Sequence, residues 1–326
     1  MRLPPAIAAI AAILAASPLA ADPLPSWADT RARAAIVDFV ERVTDPASPD
    51  YVTPAARIAV FDNDGTLWAE KPVYFQFIFA IDRLREMAAA DPAILSSPVL
   101  RAAADGDLET VAASGEEGLL EIMSVSHSGM AVDEFIADAR AWLDEATHPE
   151  TGMGYDAMVY QPMLELLRYL RDEGFDTFIV SGGGLHFIRA LAEEAYNIPP
   201  QQVIGTTGNA RYEVVEGRPR ITKDGDVFFL DDKAGKPLAI DARIGLRPIF
   251  AAGNSDGDFE MLEWTTAGEG PRFAMIVHHT DGAREFAYDR DSHVGRLARG
   301  LDEADARGWL VVDMAQDWER VWPSQR

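Results

Sequence analysis

Cysteine is absent from the 326-residue chain, which excludes a disulfide framework, a thiol nucleophile, a zinc–thiolate site and a lipidated cysteine anchor. Positive charge is scarce: 29 Lys and Arg stand against 53 Asp and Glu, for a net charge of −24. Such a surface repels nucleic acid and anionic lipid. It also makes an anionic substrate costly unless a local cation or metal reverses the field. A long apolar run is missing too. The segment from Ala6 to Ala16 is too short to span a bilayer comfortably. With Arg2 before it, small residues up to Ala21 and then Asp22-Pro23, residues 1–21 read as a secretory signal peptide cleaved near Ala21. A periplasmic or secreted protein is therefore expected, with no stable membrane association after cleavage. The remaining residues, about 300, suit one large domain or a domain with an insert. Nothing in the pattern declares an oligomeric state.

What is present is organised around Ile58-Ala59-Val60-Phe61-Asp62-Asn63-Asp64-Gly65-Thr66-Leu67. Four apolar residues predict a buried strand, and Gly65 breaks it. In a parallel α/β sheet, ligands sit beyond the carboxyl ends of strands, where Asp62 and Asp64 emerge. In extended backbone, side chains two apart point the same way, so the two carboxylates can share one substrate. Before this strand, Trp27 to Val43 has a helical spacing that puts Ala32, Ile36, Phe39, Val40 and Val43 on one face.

After it, residues 67–155 change to a helical pattern, with candidates Phe75 to Met87, Leu95 to Ala104, Val111 to Val125 and Val132 to Ala146. A βα unit normally returns to the sheet within a few turns, so this stretch predicts an inserted helical subdomain. Tyr74, Phe77, Ile78, Ile81 and Leu84 form a packing stripe, which leaves Phe75 and Phe79 as the candidates to line a pocket. Glu70 and Lys71, charges beside the acidic loop, are candidate substrate contacts. His127 reads as a loop residue between two helices.

Three later stretches carry chemistry. Asp176 to Val180 predicts a strand, and Ser181-Gly182-Gly183-Gly184 then opens a helix. Free backbone N–H groups and the helix dipole there make a phosphate cradle from Ser181 and Gly182. Lys233 and Lys236 follow a region of short alternating runs, Arg211 to Val215 and Val227 to Leu230, which predicts one or two β-hairpins leaving the sheet. Then Ile249 to Gly253 gives a strand, followed by Asn254-Ser255-Asp256-Gly257-Asp258 and a helix. Hard oxygen ligands on such a loop suit Mg2+, which takes one or two carboxylates and keeps several waters. His278 and His279 end a further strand and either touch the site or serve as loop residues.

In this order the stretches resemble the four motifs of the haloacid dehalogenase-like (HAD) hydrolases. The resemblance implies a Rossmann-like parallel sheet flanked by helices, formed by residues 22–66 and 156–326, with a helical cap at 67–155 and a small β-hairpin excursion. It implies that Asp62 is the nucleophile that forms an aspartyl phosphate, and that Asp64 protonates the leaving group and then activates water. Ser181 and Lys236, the latter a better match than Lys233, would hold phosphoryl oxygens. Asp62, Asp64 and Asp258 would hold Mg2+. Asn254 stands where the family usually has Asp, so either its amide oxygen or Asp256 through water would complete the set. The nearest branch resembles phosphoserine phosphatase, whose exported relatives point to phosphorylcholine or other small phosphate esters. Hydrolysis, phosphotransfer through the same intermediate and ester binding without turnover all remain open to such a site.

Overall fold

The computed structural model describes residues 22–324; the leader expected at residues 1–21 lies outside the described residues. The strand expected at the centre is β1 (Ile58–Phe61), with all four residues buried. It pairs in parallel with β2 (Asp176–Gly184) on one side and β5 (Phe250–Gly253) on the other. Beyond these lie β3 (Val203–Val215), β4 (Arg218–Phe229), β6 (Phe273–His278) and β7 (Leu310–Asp313), in the sheet order β4-β3-β2-β1-β5-β6-β7. Only β3 and β4 pair antiparallel. A strand buried on both faces must be apolar throughout, and its alternation feeds two cores. Ala59 and Phe61 join one, against α1 (Arg31–Thr44), α7 (Gln161–Asp172) and α8 (Leu185–Tyr196). Ile58 and Val60 join the other, against α9 (Gly235–Arg243) and α10 (Phe259–Thr266).

In α1 the buried set is Ala32, Ile36, Phe39, Val40 and Val43, the face its periodicity predicts. Phe39 packs on Phe250 and Phe273, which tie the helix to the middle of the sheet. From β1 the chain passes through the helical region to β2 on one side, and after β3, β4 and α9 it crosses to β5 on the other, so the carboxyl end of β1 is the switch point where a crevice opens.

Between β1 and α7 lie α2 (Phe75–Ala90), α3 (Pro98–Asp105), α4 (Leu108–Ala113), α5 (Gly115–His127) and α6 (Val132–Glu145). Two boundaries differ from the expected ones for local reasons. The second helix starts at Pro98, not Leu95: Pro suits the first helical position, and the Ser97 side chain caps it by accepting from Leu100 N–H. The stretch expected as one helix from Val111 is two, because Gly115 at φ +65° cannot continue a right-handed helix. Helix α2 buries two faces. Phe77, Ile81 and Leu84 pack with Val99 and Leu100 of α3 in a small separate core.

Phe75 and Phe79 do not line an open pocket. They sit in the main core among Trp68, Phe135, Trp142, Tyr155 and Phe187, and it is Tyr74 that is exposed. A stripe drawn for one buried face misses a helix sandwiched between two cores. His127 likewise ends α5 as a buried residue, hydrogen-bonded through Nδ1 to Ser126.

The short alternating runs belong to one long hairpin, β3 and β4, that extends from the sheet. Residues 203–206 of β3 pair in parallel with β2 before the strand extends outward, and Glu216 and Gly217, both at positive φ, make the turn. Two successive positive φ values match the right-handed twist of the flanking strands. The helical insert docks on this hairpin: Gly129 N–H and the Met130 carbonyl pair with the Lys223 backbone, at 2.9 Å each. Among the described residues, no helix is long and apolar enough to cross a membrane.

Candidate active site

The loop after β1 is set by its backbone. Asp62 N–H still bonds to the Ala252 carbonyl of β5, and the Asn63 carbonyl accepts from the N–H groups of Thr66, Leu67 and Trp68. Gly65, at φ +71°, lets the chain reverse. These constraints bring Asp62 and Asp64 to the crevice, as the spacing predicts. Trp68 Nε1 donates to Asp64 Oδ1 at 2.7 Å. The other oxygen, Oδ2, faces the glycine end of β2, since a Cβ on Gly183 would lie 3.3 Å from it.

Lys236, 2% exposed at the start of α9, is the cation that the acidic surface requires. Its Nζ donates to Asp62 Oδ1 at 2.6 Å, to Asp258 Oδ1 at 2.6 Å and to the Val180 carbonyl at 2.9 Å. Burial alone would lower its pKa, but the Asp258 and Asp62 carboxylates outweigh burial and hold it above the ordinary value. Lys233 is exposed, with Asp232 as its ion-pair partner at 3.9 Å. Burial pushes Asp62 well above the usual carboxylate range, and Asp258 adds to this while Lys236 opposes it. Asp64 is raised by burial to about 6, tempered by the Trp68 hydrogen bond.

Ser181 is fully buried, and its Oγ accepts from Gly183 N–H at 3.1 Å, which leaves the hydroxyl proton free to donate. Gly182 beside it is exposed. Gly184 N–H is taken by Gln76 Oε1 of α2 at 2.6 Å, so the helical insert reaches the glycine end of β2 directly. The sequence signal for Gln76 is one polar residue between Phe75 and Phe77.

The acidic loop after β5 divides its work differently from the expectation. Asp258 Oδ2 accepts from the N–H groups of Asn254 and Ser255 at 3.0 Å each, and from Ser255 Oγ at 3.2 Å. With Oδ1 on Lys236, both of its oxygens are engaged with protein donors, so Asp258 shapes the loop and anchors the lysine. Asp256 turns away altogether. Its carboxylate accepts from the N–H groups of Ala298, Arg299 and Gly300, capping α11 (Arg299–Arg307), where free donors and the helix dipole favour an anion.

Asn254 does belong to the site. Its Nδ2 donates to Glu70 Oε1 at 2.7 Å, and its Oδ1 has only a long contact, 3.3 Å from Thr66 Oγ1. Burial raises Glu70 to about 7, while the neighbouring His279 and the Tyr288 hydroxyl pull the other way. Lys71, by contrast, reaches across to Ser292 and the Val294 carbonyl and lies over the Tyr288 ring. It ties down a loop rather than pointing at the carboxylates.

Among the described residues, no three carboxylate or imidazole side chains converge as a ready-made metal cage. Asp62, Asp64 and the amide oxygen of Asn254, the last accepting from Thr66 Oγ1 at 3.3 Å, bring hard oxygens to the crevice. Mg2+ takes one or two carboxylates and keeps several waters, so this set of hard donors fits it.

His279 has a role that the sequence could not specify. Its Nε2 donates to the Gly65 carbonyl at 2.8 Å and its Nδ1 faces Glu285 Oε2 at 3.1 Å. Tyr160 holds the same glutamate through Oε1, and Tyr288 stacks on the imidazole. His279 thus clamps the turn behind Asp64, whereas His278 reaches only Asp289. Asp231, also unforeseen, is fully buried beside the Ser181 backbone with neither carboxylate oxygen in a hydrogen bond of good geometry, and burial raises it to about 7.

Among solved structures, the chain is similar to a Bordetella pertussis protein of unknown function, with 19% identity, 79% of this chain and 98% of that chain covered, and a TM-score of 0.48. It is similar to a functionally unknown protein from Anaerococcus prevotii at 17% identity, covering 76% and 86% of the two chains, with a TM-score of 0.49. A phosphoserine phosphohydrolase-like protein from Francisella tularensis is 17% identical over 77% of this chain and 98% of that one, with a TM-score of 0.39. Among curated proteins, none matches. The family model for haloacid dehalogenase-like hydrolase matches residues 59–263, a span that runs from β1 through Asp62, Ser181 and Lys236 to Asp258, and the chain belongs to that family.

Proposed function

We propose that the protein is a Mg2+-dependent phosphatase of small phosphomonoesters that works through an aspartyl phosphate on Asp62. The observation that carries this reading is the buried Lys236 bridging Asp62 and Asp258 while Asp64 keeps one oxygen open to the same crevice. The free Asp62 oxygen attacks phosphorus in line; the new P–O bond forms as the bond to the alcohol breaks. Lys236 holds Asp62 in place and offsets negative charge at the reacting oxygens, and Ser181 donates to a phosphoryl oxygen. Asp64, raised by burial, gives its proton to the departing alkoxide. It then takes a proton from the water that attacks the aspartyl phosphate, releasing inorganic phosphate and regenerating Asp62. Asp62, Asp64 and Asn254 would hold Mg2+, which when bound neutralises charge on the phosphoryl group. The helical region at 67–155 acts as a cap that chooses the ester and keeps bulk water out, and phosphorylcholine is one candidate class.

We infer export as well, from the apolar stretch ahead of Ala21; the amino terminus of the protein isolated from a periplasmic or culture fraction checks it, with Asp22 expected first. The test of function is release of inorganic phosphate from a panel of phosphomonoesters, with Mg2+ and with chelator. Metal-dependent release is expected. Binding of an ester by calorimetry with no release from any member would instead indicate a binding protein, and release only when an alcohol acceptor is supplied would indicate a transferase.

A further inference from the structure

Asn254 leaves the site one negative charge short of what the family motif supplies, and the structure places another carboxylate against it. Glu70, 2% exposed, accepts from Asn254 Nδ2 at 2.7 Å through Oε1, and the same oxygen accepts from the Tyr288 hydroxyl at 2.8 Å. Two glycines at positive φ enclose the pair. A Cβ on Gly65 would lie 2.0 Å from Asn254 Nδ2 and 2.5 Å from Glu70 Oε1, and one on Gly295 would lie 1.8 Å from Glu70 Oε1. The backbone thus makes room for these two side chains together. An amide has one donor end and one acceptor end, and an ionised carboxylate can only accept, so Glu70 in its charged form draws Nδ2 toward itself and turns Asn254 Oδ1 the other way, to the side of Thr66 Oγ1 at 3.3 Å.

We propose that Asn254 and Glu70 act as one divided metal-binding unit, in which Asn254 offers a neutral oxygen to Mg2+ and Glu70, one hydrogen bond behind, sets the amide's orientation and supplies the missing charge. Glu70 is then a positioning residue and not a substrate contact. The inference rests on the Mg2+ site of the proposed function, and its test reads metal binding rather than turnover.

The experiment is titration of Mg2+ by calorimetry, with Mn2+ by electron paramagnetic resonance as a second probe, under mildly alkaline conditions on the full chain. Glu70→Gln can present an amide donor or acceptor to Asn254 and so loses both orientation and charge. Its Mg2+ affinity should fall roughly 10–100-fold, the usual cost of removing an outer-shell partner. The exchanged pair, Glu70→Gln with Asn254→Asp, again has one carboxylate and one amide in hydrogen-bond contact and should recover the parent's range. Asn254→Asp alone is the reference for that rescue: it sets two carboxylates in contact and should bind Mg2+ no better than the exchanged pair, whereas a packing role for Glu70 predicts that it binds more tightly than the exchanged pair. Should Glu70→Gln fail to fold, Tyr288→Phe takes its place: it leaves the carboxylate but frees it to turn, and weaker Mg2+ binding is expected.

Unchanged affinity in a folded Glu70→Gln or Tyr288→Phe variant overturns the proposal, as does an exchanged pair no better than the single variant. Parent protein that binds no Mg2+ overturns both this proposal and the metal dependence of the proposed function. Parent protein that binds Mg2+ but hydrolyses no ester, with the exchange behaving as stated, overturns the phosphatase reading and supports the divided site.

Discussion

Replacing Lys236 with Met tests the electrostatic centre of the site. The ammonium lies 2.6 Å from Asp62 Oδ1 and 2.6 Å from Asp258 Oδ1, with side-chain exposures of 2%, 9% and 1% for the three residues. Met fills most of the volume, so the loss is mainly of charge, and it strands two buried carboxylates. Breaking a buried pair from one side costs about 3–5 kcal/mol. At ~2–4 °C per kcal/mol for a large domain, melting should fall by roughly 6–20 °C.

The deficit must also depend on pH. Burial and Asp258 already hold Asp62 above the ordinary carboxylate range, and Lys236 opposes that rise. Without the lysine, folded Asp62 keeps its proton to still higher pH than Asp62 in the unfolded chain. The folded state then binds more protons than the unfolded state, and stability falls as pH rises through that window. Thermal denaturation of both proteins between about pH 5 and about pH 8 should show a deficit that is smallest at the acid end. Equal melting temperatures, or a deficit independent of pH, would refute the placement of Lys236 between two ionised partners.

Asp231, buried without a hydrogen bond of good geometry and raised from 3.8 to about 7, should make the parent lose stability as pH rises from about 4 to about 7. Asp231→Asn removes that loss, so its melting advantage should grow across the same window toward a ceiling of about 4 kcal/mol; a constant difference would contradict the buried charge. His279→Asn frees the Gly65 carbonyl and should lower kcat roughly 10–100-fold through misplacement of Asp64, with the fold retained by circular dichroism. Phe79→Ala empties an aromatic cluster formed by His127, Phe135, Trp142 and Phe187 and should cost about 3–5 kcal/mol in urea denaturation. A cost near zero would place Phe79 at an open pocket after all.

The parts of this molecule legible in its sequence are those where local pattern and global demand coincide. Ile58 to Phe61 must be apolar on both faces because neighbours cover both, and helix α1 shows its buried face in its spacing. Lys236, favoured over Lys233 by resemblance to a motif, is the lysine that reaches Asp62.

What stayed hidden depends on contacts distant in the chain. Asp256 and Asp258 are alike in sequence, and only the position of residues 298–300 and of Lys236 tells a helix cap from a lysine anchor. His279 sits 214 residues from the carbonyl it holds. Glu70 lies 184 residues from Asn254, so neither its neighbour nor its part in the site could be read from the loop that carries it. The hairpin is legible in its short alternating runs, but its attachment to β2 depends on pairing that alternation does not specify.

The most direct test of the account is to stop turnover of a good ester with acid and weigh the proteolytic fragments. The account predicts one fragment, the one containing Asp62, heavier by a single phosphoryl group, and no such fragment from Asp62→Asn. Steady release of phosphate with no phosphorylated Asp62 fragment, or release undiminished in Asp62→Asn, would contradict it.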